Sequence, residues 1–183
     1  SSFDLRQASS GIQTTAPLIA MMNYYAQAFD FKLAQKRSII DLLFEKNLTT
    51  QYRPEMELTD MPKYVHIHIE EPELSLDPTS QIQMLNEIIR LAFYSKVDSR
   101  EIGLVLATHS PYIINSLNLL MKAHDCKTDI DGAHVGYDDL SVYQILSGGV
   151  ADLKVKNIHY VNTDRLSEDI NNIYDKYQEL KQL

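Results

Sequence analysis

Two apolar segments, each followed by polar residues and then by a helix-start signal, constrain the fold more than any other feature of this sequence. Residues 64–70 place Val65, Ile67 and Ile69 on one side, which is typical of a strand with one buried face. Residues 102–107 are continuously apolar, which is typical of a central strand covered on both faces. Strand and helix in alternation predict a parallel sheet, so the polar residues after both strands should meet at one edge.

The two helix-start signals have the same chemistry. Asp77-Pro78 and Ser110-Pro111 each offer a side chain that can cap a helix, followed by proline at the first helical position. We therefore expect one helix from Pro78 to about residue 95 and another from Pro111 to about residue 120.

The same periodicities predict the rest of the chain. Apolar positions after Ser9-Ser10-Gly11 recur at helical spacing, and Pro17 should lie near the first turn of that helix, because an interior proline would kink it. The other expectations are a helix over residues 33–44, a loop over 47–62, a β-hairpin with strands at 141–146 and 150–155, a short strand near 159–162, and a helix from Ser167 with Ile170, Ile173, Tyr174, Tyr177 and Leu180 on one face.

Composition places the chain in a broad class. Its 183 residues suit one domain or most of a larger one, and the net charge of -8 gives no general attraction to nucleic acid. A single cysteine, Cys126, excludes an internal disulfide and suits a reducing compartment. With no apolar run near the roughly 18 residues of a membrane span and no secretion signal, we expect a soluble, cytoplasmic protein without membrane contact.

Three motifs in fixed order carry a family resemblance. They are Ser9-Ser10-Gly11-Ile12-Gln13, the segment from Ile67 to Pro78 with Glu70-Glu71-Pro72-Glu73 and Leu76-Asp77-Pro78, and Ala107-Thr108-His109-Ser110-Pro111. Together they resemble the ABC-type ATPases, and more narrowly the branch of the overcoming-lysogenization-defect proteins and the AAA-like ATPases of the SMC and RecF kind. The resemblance covers nearly the whole chain. It implies a three-layer α/β lobe of a P-loop NTPase with a mainly parallel sheet, a β-hairpin near the C-terminal end, and ATP and Mg²⁺ as cofactors.

The resemblance also assigns catalytic residues. It implies that Glu70 helps to hold Mg²⁺ at the end of its strand, while Glu71 polarises the attacking water. Adjacent carboxylates after an apolar strand suit this division of labour. His109 resembles the histidine that senses the γ-phosphate, and a neutral imidazole can both donate and accept a hydrogen bond. Asp77 resembles the D-loop aspartate, which meets the opposite subunit and helps to place the water.

The segment before the first helix resembles the signature motif of the family. There, the resemblance implies that Ser9, Ser10, Gly11 and Gln13 contact a nucleotide bound to the partner subunit of a homodimer. Hydroxyl and free amide groups at a helix start suit an anion.

One expected motif is absent from the sequence. No Gly-x-x-x-x-Gly-Lys-Ser/Thr loop occurs, so these residues encode no phosphate-cradling loop. In the family that loop precedes the signature motif, and we therefore expect residues 1–183 to form a single partial ATPase domain whose N-terminal half is missing. Alone it should bind ATP poorly. Relatives act in DNA repair, chromosome maintenance or phage defence, so a DNA or nuclease partner is a family-level expectation.

Two alternatives remain open at this point. The chain could be a non-catalytic lobe that dimerises or docks a partner. It could also be a metal-dependent hydrolase, because His66, His68 and Glu70 project from one side of a strand with the chemistry of zinc or manganese ligands.

Overall fold

The computed structural model describes residues 4–50 and 63–181 as a mixed α/β structure. Its helices are Ser10–Asn23 (α1), Phe31–Glu45 (α2), Pro78–Ile89 (α3), Pro111–Asp125 (α4) and Asp164–Leu180 (α5). Its strands are Tyr64–Glu70 (β1), Glu101–Ala107 (β2), Tyr143–Leu146 (β3), Gly149–Asp152 (β4), Lys154–Val155 (β5) and Tyr160–Val161 (β6). Turns of π type extend α1 over Tyr24–Ala28 and α3 over Arg90–Tyr94. Within the two described ranges, every helix is too short or too polar to cross a bilayer.

The centre of the fold is the parallel pair β1 and β2. The strands run in register from Tyr64 beside Glu101 to Glu70 beside Ala107, so their carboxyl ends coincide. One face of the pair is buried under α1, α3 and α4. The core cluster on this face includes Met22, Ile67, Ile69, Leu85, Ile88, Ile102, Ile113, Leu117 and Leu120.

The opposite face of the parallel pair is open among the described residues. It carries Tyr64, His66 and His68 from β1 and Val105 from β2, and Tyr64 and Val105 are 49% and 46% exposed. The expectation that β2 is covered on both faces is therefore wrong for the described chain. The reason is that β1 and β2 pair only with each other here, and α1, α3 and α4 all contribute to the core on one side.

Helix α1 begins earlier than expected. The Ser9 hydroxyl accepts the N–H of Ile12 at 3.5 Å and caps the helix, so Ser10 and Gly11 form part of its first turn. Pro17 consequently lies well inside α1, and the expectation that it sits near the first turn is wrong. A proline there removes one helical hydrogen bond.

The caps of α3 and α4 follow the sequence expectation. Asp77 caps α3, with Pro78 as the first helical residue, and Ser110 caps α4, with Pro111 in the same position. Both helices therefore start directly after the loops that leave β1 and β2.

The C-terminal part of the chain is built from small antiparallel pairs. β3 and β4 form the expected hairpin around Gly148, whose φ of 95° requires a residue without a side chain. The strand expected over 150–155 is interrupted at the buried Leu153, and its end becomes β5, which pairs with β6. The last helix begins at Asp164 rather than Ser167. Most of the loop expected over 47–62 lies outside the described residues.

Candidate functional site

Glu71 and His109 meet at the edge where β1 and β2 end. The N–H of Glu71 donates to the Ala107 carbonyl at 2.8 Å, which continues the strand ladder one residue beyond Glu70. The chain then turns, because Glu71 has a left-handed backbone with φ of 46°. Its carboxylate Oε1 lies 3.8 Å from Nε2 of His109, with the two side chains 53% and 89% exposed. Glu70, Glu71 and His109 thus lie at one solvent-facing rim of the sheet.

Glu73 makes a side-chain hydrogen bond between the loops that follow the two strands. Its Oε1 accepts the backbone N–H of His109 at 2.8 Å. Its Oε2 is buried and has no hydrogen-bond partner among the described residues. The sequence motif around Glu73 indicates no role for this residue, because a contact across 36 positions leaves no local signal.

The loop from Glu71 to Asp77 is compact. The N–H of Leu74 donates to the Glu71 carbonyl and the N–H of Leu76 to the Glu73 carbonyl, each at 3.0 Å. Ser75 has a left-handed backbone with φ of 62°, and Pro72 is buried. The loop therefore has a defined shape, with its acidic side chains on fixed backbone positions.

The start of α1 packs on this loop through small groups. A Cβ atom on Gly11 would lie 2.9 Å from the Ser75 carbonyl oxygen, so only glycine fits at this spacing. The Thr14 hydroxyl is also 3.3 Å from the Leu74 carbonyl. The structure thus brings the segment that resembles the signature motif against the loop that holds Asp77.

The polar side chains at the start of α1 make different hydrogen bonds. Ser9 and Ser10 are exposed. Gln13 is exposed as well, and its Nε2 donates to the Ala8 carbonyl at 2.8 Å and to the Arg6 carbonyl at 3.3 Å. Its amide nitrogen therefore holds the segment before α1 in place, which is a structural use that the sequence did not reveal.

Asp77 acts as a helix cap in the structure. Its Oδ1 accepts the N–H of Thr79 at 3.0 Å and of Ser80 at 3.2 Å, and its Oδ2 accepts the Ser80 hydroxyl. The Ser80 hydroxyl, followed by the Ser80 N–H, lowers the pKa of the Asp77 carboxyl. Asp77 is exposed and lies six residues beyond Glu71 on the same loop.

A buried polar pair supports the rim from behind. The Ser110 hydroxyl donates to Oε1 of Gln81 and accepts the N–H groups of Tyr112 and Ile113 at 3.2 and 3.4 Å. Nε2 of Gln81 donates to the Leu76 carbonyl at 2.9 Å. Gln81 therefore links the end of the acidic loop to the start of α4, next to His109.

The alternative metal site on the open face is not assembled. His66 shares a hydrogen bond with the Tyr64 hydroxyl, and the rings of His66 and His68 are 5.8 Å apart. Among residues 4–50 and 63–181, no three His, Cys, Asp or Glu side chains are grouped so that they could hold a metal ion by themselves.

Carboxylates at the rim are nevertheless suited to Mg²⁺ when other ligands complete its shell. Glu70 and Glu71 are adjacent, exposed oxygen donors, and Mg²⁺ commonly takes one or two carboxylates together with phosphate and water oxygens.

Family models, curated proteins and solved structures were compared with this chain, and none of them matches it.

Proposed function

We propose that this chain is part of an ABC-type ATPase of the AAA-like branch and that it contributes to the binding and hydrolysis of ATP. The observation that carries the proposal is the 3.8 Å approach of Glu71 to His109 at the carboxyl ends of parallel strands. An exposed carboxylate beside an exposed imidazole can contact one water molecule and one phosphate. Ligands of α/β sheets commonly bind at this edge.

The residues at the rim have separate roles in this proposal. Glu71 orients the attacking water and accepts its proton, and His109 contacts the γ-phosphate. Glu70 would help to hold Mg²⁺, which neutralises phosphate charge when it is bound. Because a positioned general base contributes typically 10²–10⁴-fold to a rate, the loss of Glu71 should be severe.

The contact between Gly11 of α1 and Ser75 of the acidic loop supports a nucleotide-sandwiched homodimer. In the family that this chain resembles, the signature motif and the D-loop both face the opposite subunit. The packing of Gly11 on Ser75 places the corresponding segments side by side. Ser9, Ser10 and Asp77 are exposed around this contact and would face the nucleotide of the partner subunit.

The phosphate-cradling loop would come from polypeptide outside these 183 residues. The face of β1 and β2 that is open among the described residues supports this part of the proposal, since parallel sheets are generally covered on both faces. The added segment would complete the three-layer P-loop fold. We assign this chain to the cytoplasm, because its single cysteine suits a reducing compartment. The family resemblance supports a role in DNA repair, chromosome maintenance or phage defence, with DNA or a nuclease as partner.

The experiment is a comparison of carboxylate variants in the assembled protein. The chain is produced together with the segment that carries the phosphate-cradling loop, and ATP hydrolysis and ATP binding are measured separately. Glu71→Gln should lower kcat by about 100-fold or more while ATP binding is retained. Glu101→Gln is the matched control, because Glu101 is an exposed carboxylate at the far end of β2.

Two outcomes would overturn the proposal. Absence of ATP hydrolysis in the assembled wild-type protein would favour a non-catalytic docking lobe. Equal kcat in Glu71→Gln and the wild type would remove the assignment of Glu71.

A further inference from the structure

We infer that Glu73 is a positioning residue that sets the backbone of His109, and through it the distance between His109 and Glu71. The inference rests on the proposed function for its catalytic consequence, while its structural part stands independently. The hydrogen bond from His109 N–H to Oε1 of Glu73 is 2.8 Å long, which is a good length for an N–H donor and an oxygen acceptor.

Among the described residues, the loop that carries His109 has few other restraints at this point besides the 3.8 Å approach of the imidazole to Glu71. After β2 ends at Ala107, the N–H of His109 is accepted by Glu73, and the N–H of Ser110 is accepted by the Thr108 hydroxyl at 3.0 Å. The His109 side chain is 89% exposed, so packing does not hold the imidazole. Its position therefore depends on its backbone, and Glu73 is the side chain from another loop that binds this backbone.

The backbone of Glu73 lies in a hydrogen-bonded turn. Its carbonyl accepts the N–H of Leu76, and the preceding Pro72 is buried. The carboxylate reaches inward, since its Oε2 is buried without a partner among the described residues. A buried unpaired oxygen is unfavourable, and the bond to His109 offsets this cost on the neighbouring oxygen of the same carboxylate.

The consequence is a chemical requirement at position 73 that differs from that at position 71. Position 71 needs an ionised carboxylate to accept a proton. Position 73 needs an acceptor of the correct reach, so a carboxamide, whose oxygen can accept the same N–H, should serve. Glutamine should therefore be tolerated at position 73 and not at position 71.

The first test uses the chain itself and no nucleotide. Amide hydrogen exchange at His109 is followed by NMR in the wild type, Glu73→Ala, Glu73→Gln and the control Glu101→Ala. We expect exchange at His109 to be about tenfold faster in Glu73→Ala and close to wild type in Glu73→Gln and Glu101→Ala. If Glu73→Ala does not fold, Glu73→Asp, whose shorter side chain should not reach the N–H, replaces it with the same expectation.

The inference is overturned if exchange at His109 is unchanged in Glu73→Ala, or if Glu73→Gln exchanges as fast as Glu73→Ala. The second test measures kcat and KM for ATP in the assembled protein. We expect Glu73→Ala to lower kcat about tenfold with a smaller change in KM, and Glu73→Gln to restore kcat. Loss of kcat in Glu73→Gln as large as in Glu71→Gln would show that position 73 needs a charge and would refute the positioning role.

The two proposals fail in different ways. Faster exchange at His109 in Glu73→Ala, together with no ATP hydrolysis by the assembled wild type, would remove the ATPase proposal and leave the positioning role intact. ATP hydrolysis by the assembled wild type, together with unchanged exchange at His109 in Glu73→Ala, would leave the ATPase proposal intact and remove the positioning role.

Discussion

Replacement of Ser110 by alanine should destabilise the chain far more than one lost hydroxyl suggests. Ser110 caps α4, and loss of a serine cap costs about 1 kcal/mol. The same hydroxyl donates to Oε1 of Gln81, and both side chains are more than nine-tenths buried. Leaving that buried acceptor unpaired adds about 1–3 kcal/mol. The two terms sum to about 2–4 kcal/mol in the free energy of unfolding.

Urea denaturation followed by circular dichroism measures this loss directly. Ser116→Ala is the matched control, because Ser116 is a buried serine within the same helix without a capping role. For a chain of this length, the expected loss corresponds to a Tm about 4–16 °C lower for Ser110→Ala. If the free energies of unfolding of Ser110→Ala and Ser116→Ala agree within about 0.5 kcal/mol, the reasoning is refuted. A difference that small is typical of substitutions that remove no specific interaction.

Two further predictions concern the helix interior and acid stability. Pro17→Ala should raise the free energy of unfolding by about 2 kcal/mol, because alanine restores an N–H that can donate to the Gln13 carbonyl within the helix. An unchanged urea midpoint would contradict this prediction. The pKa of Asp98 is lowered to about 2, mainly by the Arg100 side chain and also by Lys63. A lowered folded-state pKa stabilises the protein above the unfolded pKa near 4, and this contribution is lost as pH falls toward 2. Asp98→Asn should therefore reduce the dependence of stability on pH between 4 and 2, measured by urea midpoints across that range.

Local patterns predicted the elements that surround the rim. The alternation over Tyr64–Glu70 matches β1 at both ends, and Asp77 and Ser110 mark the starts of α3 and α4. These signals succeed because alternation and capping depend on residues close together in the chain. The meeting of Glu71 and His109 followed from the order of strands and helices, since parallel strands share a carboxyl edge.

Local sequence patterns do not predict hydrogen bonds between distant residues, and they did not predict the position of Pro17 within α1. Nothing local to Glu73 indicates that it binds a backbone amide 36 residues away, and nothing local to Gln81 indicates its partner Ser110. Pro17 was misplaced because proline strongly disfavours helix interiors, yet the Ser9 cap begins the helix early enough to enclose it. The sequence pattern predicts an apolar face on α5, but a pattern does not say what covers that face. Tyr177 is 58% exposed there.

The backbone of Glu71 has a left-handed conformation that glutamate disfavours, although the proposed function requires a carboxylate at this position. Most residues with a Cβ atom lose roughly 1–2 kcal/mol in this conformation. Glycine has no Cβ atom and asparagine can form local hydrogen bonds, so both adopt it more readily. A sequence optimised only for thermal resistance would therefore abandon the acid at this position. Libraries of this chain selected for heat tolerance alone should drift away from glutamate at position 71. Under the proposed function, libraries of the assembled protein screened for ATP turnover should keep it.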